Sequence, residues 1–183
     1  GGPIRMTQRF NLLDEPWIRV SRLDGAPDEV SLLTLFREAT DIAGIHGEIA
    51  SQDVAILRLL LAICHRAMDG PEDLDTWREY WEAEHLGRDV IDYLERYRER
   101  FDLRDPDRPF FQVAGIHAAS GKTSGLESLI ADVPNGNPFF TTRMARGLES
   151  IGWAEAARWL VHVHAFDPSG IRSGAVGDPS VKR

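Results

Sequence analysis

Apolar residues recur at two different spacings along the chain, and the spacing changes near residue 30. Short apolar runs at Phe10–Leu13 and Trp17–Val20 are separated by Asp14-Glu15-Pro16 and lead into the turn dipeptide Asp24-Gly25. Runs of this length between turn residues are typical of β-strands. The sequence therefore predicts a pair of strands at its start.

After residue 30 the apolar residues recur every three to four positions, as on one face of a helix. Ser31 and Ser51 stand where their hydroxyls can cap helices over Leu32–Thr40 and over Val54–Met68. The second helix is predicted to be central and mostly buried, with an inward face that contains Val54, Leu57, Leu61, Cys64, Ala67 and Met68.

The same spacing predicts three further helices. Leu74 to about Arg100 carries apolar positions between charged turns, which indicates two helices with exposed outer faces and a break near Gly87. Ser150–Ala165 is the last clear helix of the chain.

The remaining segments are rich in glycine and proline. Asp102–Pro109 cannot continue a helix, and Phe110–Val113 is predicted to be a brief strand or extended segment. Gly115–Thr142 is predicted to be a loop except for a short helix at Leu126–Ala131, and long irregular stretches in compact domains usually carry function. We therefore predict one helix-rich α+β domain with short strands near the N-terminus and around Phe110, and with long functional loops.

Composition supports a globular chain and excludes several classes of protein. The 183 residues suffice for one domain, and no stretch is long and apolar enough to predict a membrane span. Gly1–Arg5 precede Met6 without an apolar signal region, so we interpret them as cloning residues and expect a cytoplasmic protein. The single cysteine, Cys64, allows neither an internal disulfide nor a cysteine-based zinc site.

The net charge of −8 argues against binding of nucleic acid by bulk attraction. The charge is uneven, because the chain carries −10 up to Phe139 and +2 from Phe140 onward. Only the last quarter of the chain is therefore expected to meet phosphate groups, although chance alone could produce this asymmetry.

The usual signatures of catalysis are weak. Gly121-Lys122-Thr123 resembles part of a phosphate-binding loop, but the upstream glycine is Gly115, one position too far back, and Ser124-Gly125 is a poor start for a helix. His162 and His164 are two residues apart, which does not suit a shared metal on a helix. We expect no catalytic residue, metal or cofactor, with a nucleotide-binding hydrolase kept as an alternative.

Two segments remain whose residue types suit local contact with a DNA duplex. The first segment combines two aromatic rings with hydroxyls and an arginine, in Asn137, Phe139, Phe140, Thr141, Thr142 and Arg143. The second offers unhindered backbone N–H groups beside an arginine, in Ser169, Gly170, Ile171, Arg172, Ser173 and Gly174. The alternative is an apolar loop anchor and a flexible hinge, in a protein that serves only as a scaffold.

Four blocks of sequence point to a known family. They are Phe10–Ile18, Ser51–Leu60, Arg108–Gln112 and Asp167–Gly177. In this order they resemble the N-terminal domain of the CasA family, the large subunit of the type I-E CRISPR surveillance complex Cascade. The resemblance covers Met6–Arg183.

The resemblance implies a non-catalytic subunit that recognises the protospacer-adjacent motif of double-stranded DNA from the minor groove. It also implies support for opening of the target strand, recruitment of a helicase-nuclease, and contacts with other Cascade subunits and crRNA. The family's loop with an aromatic residue falls on Asn137–Arg143, where Phe139 or Phe140 is the aromatic, and its glycine loop falls on Ser169–Gly174.

This chain departs from the family at two points. Thr141 or Thr142 stands where some relatives have an asparagine, which weakens the case for direct base reading there. The family's minor-groove lysine, its glutamine wedge and its C-terminal helical bundle have no counterpart before Arg183. The resemblance thus implies a fragment.

Overall fold

A small antiparallel sheet forms the first part of the fold. The computed structural model describes residues 9–82, 86–132, 150–166 and 174–177. Its strands are β1 (Ile18–Arg22), β2 (Pro27–Val30) and β3 (Ile42–Ile45), with β1 in the centre. Ile18, Val20 and Val30 point into the core, as the two-residue period of a strand requires.

The predicted strand pair was half correct. Trp17–Val20 does enter β1, but its partners are β2 and β3 and not Phe10–Leu13. The Asn11 side chain accepts a hydrogen bond from the backbone N–H of Leu13 at 2.9 Å, which turns the chain there. Leu12 and Leu13 are consequently buried as a turn in the core.

Five α-helices complete the described fold, and the α+β class is confirmed. They are α1 (Leu32–Arg37), α2 (Ala50–Ala67), α3 (Leu74–Glu82), α4 (Leu86–Arg96) and α5 (Trp153–Phe166). Ser31 caps α1 as predicted, because its Oγ accepts a hydrogen bond from the N–H of Thr34 at 3.2 Å. None of the helices in the described ranges is long and apolar enough to cross a membrane.

The predicted strand around Phe110 is a turn. Phe111 has a φ of 55°, a left-handed conformation that residues other than glycine seldom adopt and that lies far from the backbone angles of a strand. The predicted short helix at Leu126–Ala131 is a single 3₁₀ turn over Leu126–Ser128.

The predicted inward face of α2 is half correct, because Met68 is buried and Cys64 and Ala67 pack against the core. Val54, Leu57 and Leu61 are 48–52% exposed, whereas Gln52, Ala55, Ile56, Leu60 and Ile63 are buried against the neighbouring elements. Apolar residues occupy more than one face of this helix, so their spacing alone could not identify the buried one. The buried face packs against α4 and α5.

A buried arginine on α5 joins the last helix to the sheet. The Arg158 Nη1 donates to the backbone oxygen of Trp17 at 2.9 Å and to Glu29 Oε2 at 3.1 Å. Its Nη2 lies 3.5 Å from Glu48 Oε1, in the segment before α2. Burial lowers the pKa of the guanidinium, and the two carboxylates oppose this shift. Four parts of the chain therefore meet at one side chain.

A second polar contact joins α5 to α2. Ser51 Oγ lies 2.9 Å from Nε2 of His162, a buried residue whose ring packs edge-on against Trp159. Ser51 was predicted to cap α2, but the helix begins one residue earlier and the hydroxyl bonds to the histidine. Burial lowers the pKa of His162, so the folded protein favours the neutral ring.

Replacing Arg158 should test its role in the fold. Arg158→Met removes the bonds to Trp17, Glu29 and Glu48, so we expect the free energy of unfolding to fall by about 1–3 kcal/mol. Urea denaturation measures this change. Arg78→Met, which breaks an exposed pair with Asp75, is the control and should change stability by less than about 0.5 kcal/mol. Equal losses of stability in Arg158→Met and Arg78→Met would contradict the role of Arg158 in joining α5 to the sheet.

The lowered pKa of His162 predicts a pH dependence of stability. The unfolded chain binds a proton at this ring more readily than the folded chain does. The contribution of neutral His162 to stability is therefore fully present above the unfolded pKa of about 6.5, and it decreases as the pH falls below that value. His162→Gln keeps a hydrogen-bonding side chain without the titration. Urea denaturation at pH 7.5 and pH 5.5 should show a smaller loss of stability in this variant than in the parent chain. An equal loss of stability between pH 7.5 and pH 5.5 in His162→Gln and in the parent chain would refute the prediction.

Candidate nucleic-acid interface

Eleven of the twelve residues predicted to approach DNA lie outside the described residues. They are Asn137, Phe139, Phe140, Thr141, Thr142, Arg143, Ser169, Gly170, Ile171, Arg172 and Ser173. Gly174 is described, and it is exposed. The described chain on both sides of each segment shows where that segment is attached.

The first segment is attached at one apolar cluster. Ile130 and Trp159 are fully buried against each other, and Ile151 packs against them. Ile130 comes shortly before the segment and Ile151 shortly after it, while Trp159 belongs to α5. Both attachment points of the Asn137–Arg143 segment therefore depend on the position of α5.

The second segment begins directly after α5, which ends at Phe166, and rejoins the described chain at Gly174. The carbonyl oxygen of Gly174 accepts a hydrogen bond from the N–H of Ala119 at 2.8 Å, and the Val176 N–H donates to the His117 oxygen at 3.0 Å. These bonds frame an antiparallel bridge between Ala118 and Ala175. The far end of the segment is thus fixed to the loop that follows Gly115.

The C-terminal end of α5 is itself held by an unusual turn. His164 Nε2 donates to the Phe111 carbonyl oxygen at 2.7 Å, and the two rings lie 4.8 Å apart. The Phe111 ring also stacks on Phe110 at 4.2 Å. Sequence reasoning missed this contact, because no local pattern relates residues 53 positions apart.

The loop that contains Lys122 does not have the geometry of a phosphate-binding loop. Gly121 has a φ of 65° and donates its N–H to the Ala118 oxygen at 2.9 Å, which closes a turn. The next helical residues form only the 3₁₀ turn that begins at Leu126. A phosphate-binding loop instead leads directly into a helix whose N-terminus faces the anion. Lys122 is exposed and available for other contacts.

Within the described ranges, no group of three or more His, Cys, Asp or Glu side chains is placed to hold a metal ion. The buried polar groups of α5 are engaged in structural contacts, as Arg158 and His162 show. Both segments are linked to α5: residues on either side of the first pack against Trp159, and the second follows the end of the helix.

Comparison with known proteins identifies the family of this chain. The family model for CRISPR-associated protein Cse1 matches residues 11–182. CRISPR-associated protein CasA/Cse1 of Thermus thermophilus is 34% identical over 167 residues, which is 90% of this chain and 33% of that protein. The chain therefore spans about a third of the length of this relative.

Solved structures share the fold. The crystal structure of Thermobifida fusca Cse1 is 49% identical and superposes with a TM-score of 0.83, over 95% of this chain and 33% of that one. A chain of a CRISPR RNA-guided surveillance complex is 21% identical, with a TM-score of 0.71 over 91% of this chain and 37% of that one. At this identity the second match shows the fold alone. The family match over most of its length and the identity to CasA/Cse1 show that this chain belongs to the Cse1 family of CRISPR-associated proteins.

Proposed function

We propose that this chain is a non-catalytic part of the large subunit of an RNA-guided surveillance complex, where it contacts double-stranded DNA at the protospacer-adjacent motif. The observation that carries the proposal is family membership over residues 11–182. The 34% identity to CRISPR-associated protein CasA/Cse1 of Thermus thermophilus supports the assignment to this subunit.

The attachment of both loop segments to α5 supports a shared contact with DNA. A duplex contact needs loops that project from a rigid base, since an error of position at the base is carried to the tip. α5 supplies that base, because Arg158, His162 and Trp159 fix it to the sheet, to α2 and to the Ile130 cluster. We propose that Asn137–Arg143 and Ser169–Gly174 approach the motif together.

The proposed roles of the two segments follow from their residue types. Gly170 and Gly174 leave room for the backbone to enter the minor groove, and Arg172 pairs with a phosphate beside it. One ring of Phe139 or Phe140 packs at the motif or at the adjacent crRNA end. The threonines donate hydroxyls but discriminate bases less well than an asparagine would.

An acidic subunit is compatible with this role. With a net charge of −8, the chain repels DNA at long range, so binding by the chain alone should be weak and sensitive to salt. Other subunits of the complex would supply most phosphate contacts, and assembly would raise the effective concentration of the two loops at the duplex. Support for strand opening and recruitment of a helicase-nuclease belong to the same proposal.

Loop variants in an assembled complex should test the proposal. Phe140→Ala and Arg172→Ala should each weaken binding of a target duplex by about fivefold or more, since each removes a local contact of the kind that reads or positions DNA. Electrophoretic mobility shift of a duplex with the motif measures the affinity. Arg78→Ala, on the exposed side of α3, is the control and should leave it unchanged.

The same experiment separates DNA contact from a purely structural role. Each variant complex should retain all of its subunits, as measured by native mass spectrometry. Intact complexes with unchanged duplex affinity would refute DNA contact by the loops and favour a chain that acts only as a protein scaffold.

A further inference from the structure

A cavity among the described residues has an unusual set of side chains. It measures about 420 Å³ and lies between the end of α2, the last turns of α4 and the Phe110–Phe111 turn. This volume falls in the range of roughly 300–1,000 Å³ that is common for ligand sites. The side chains that matter here are Arg66, Tyr93, Tyr97, Arg100, Arg108 and Phe111.

The cavity is locally basic in an acidic protein. It is lined by three arginines, and none of its lining residues within the described ranges is Asp or Glu. Arg66 and Arg100 make no ion pair with any described residue, while Arg108 approaches Glu99 only at 3.9 Å on the open surface. Guanidinium groups without a described carboxylate partner, such as those of Arg66 and Arg100, suit an anionic ligand, and their planar form suits phosphate.

Two aromatic rings border the same cavity and remain open to solvent. Tyr97 and Phe111 are each 41% exposed. Tyr97 lies against Tyr93 with ring centroids 4.9 Å apart, and Phe111 stacks on Phe110. Tyr97 meets Tyr93 at a tilt, and Phe111 also has the His164 ring at a tilt 4.8 Å away. The exposed part of each ring is available to a flat ligand.

Phe111 has an energetically unfavourable backbone conformation. Its φ of 55° is unfavourable for a residue with a Cβ atom, and such strain persists where the surroundings impose it. The hydrogen bond from His164 to the Phe111 carbonyl and the stack on Phe110 impose it here. Burial does not explain a strained conformation that leaves a large apolar ring half exposed, whereas presentation of the ring to a ligand does.

From these observations we infer that the cavity binds single-stranded nucleic acid. A base stacks on the exposed face of Tyr97 or Phe111, and the adjoining phosphates pair with Arg66 and Arg100. Stacking on aromatic rings beside a basic groove is how proteins hold single strands without reading their sequence. An acidic peptide would use the arginines but would leave both rings without a partner.

The neighbouring cavity sets one limit of this site. It shares Arg66, Tyr93 and Tyr97 with the basic cavity, but it is also lined by Asp69, Asp89 and Asp92. Their carboxylates repel a phosphate backbone. The strand is therefore short at this end and leaves the site on the side of Arg108.

Binding of a short oligonucleotide tests the inference directly, and it does not depend on the proposed contact with duplex DNA. The probe is fluorescein-labelled pentathymidylate, and its anisotropy is followed with the full 183-residue chain at low salt. Tyr97→Ala should weaken binding by at least about fivefold, whereas Tyr97→Phe should retain it. Arg100→Ala should also weaken binding and reduce the slope of log affinity against log salt by about 0.7.

Two variants on other faces are matched controls. Arg58→Ala removes an exposed arginine of α2, and Trp77→Ala removes a part-exposed ring of α3, and neither residue lines the cavity. Both should bind pentathymidylate as the parent chain does. Circular dichroism checks that each variant is folded, and exposed Arg100 provides the test if Tyr97→Ala does not fold.

Three results would overturn the inference. The first is absence of binding at low salt by the folded parent chain. The second is equal affinity in Arg100→Ala and Arg58→Ala. The third is a pentaaspartate peptide that displaces the oligonucleotide at equal concentration, because a site for any anion would not need the rings. None of these results bears on duplex binding by the assembled complex.

Discussion

The position of α5 depends on a buried cation. The Trp17 carbonyl and the carboxylates of Glu29 and Glu48 replace part of the water that the Arg158 guanidinium loses on burial. These partners come from the residue before β1, from β2 and from the segment before α2, so the contacts fix one helix against elements that are distant in sequence. The apolar face of α5 supplies contact area, and the charged network sets the orientation. Of the two segments proposed to approach DNA, one follows this helix, and the described residues on either side of the other pack against its Trp159.

The sequence predicted the elements that depend on local chemistry. Ser31 was identified as a cap, and the α+β class and the approximate positions of all five helices followed from spacing. The wrong predictions concern residues whose contacts are with residues distant in sequence. Nothing near Ser51 reveals that its hydroxyl will meet His162, and Leu57 and Leu60 are equally apolar although only one is buried. The left-handed Phe111 could not be read from a Phe-Phe pair that is typical of strands.

The candidate site likewise combines features that local sequence predicts with features that only the fold reveals. Composition drew attention to Asn137–Arg143 and Ser169–Gly174, and the resemblance gave them a function, but only the fold shows that both are attached to α5. The basic cavity escaped sequence reasoning altogether, because Arg66, Arg100 and Phe111 are separated along the chain and lie in segments with many carboxylates. Net charge describes the whole chain, whereas binding responds to the few side chains that line one surface.

Assembly with partner subunits is the claim on which the functional account depends. The most direct test is whether this chain co-purifies with a Cascade assembly from the same host that lacks its large subunit. The account predicts co-purification, with docking by residues among Met6–Arg183. Success only for a longer chain would assign docking to residues outside this sequence. Failure of both this chain and the longer one would contradict the account.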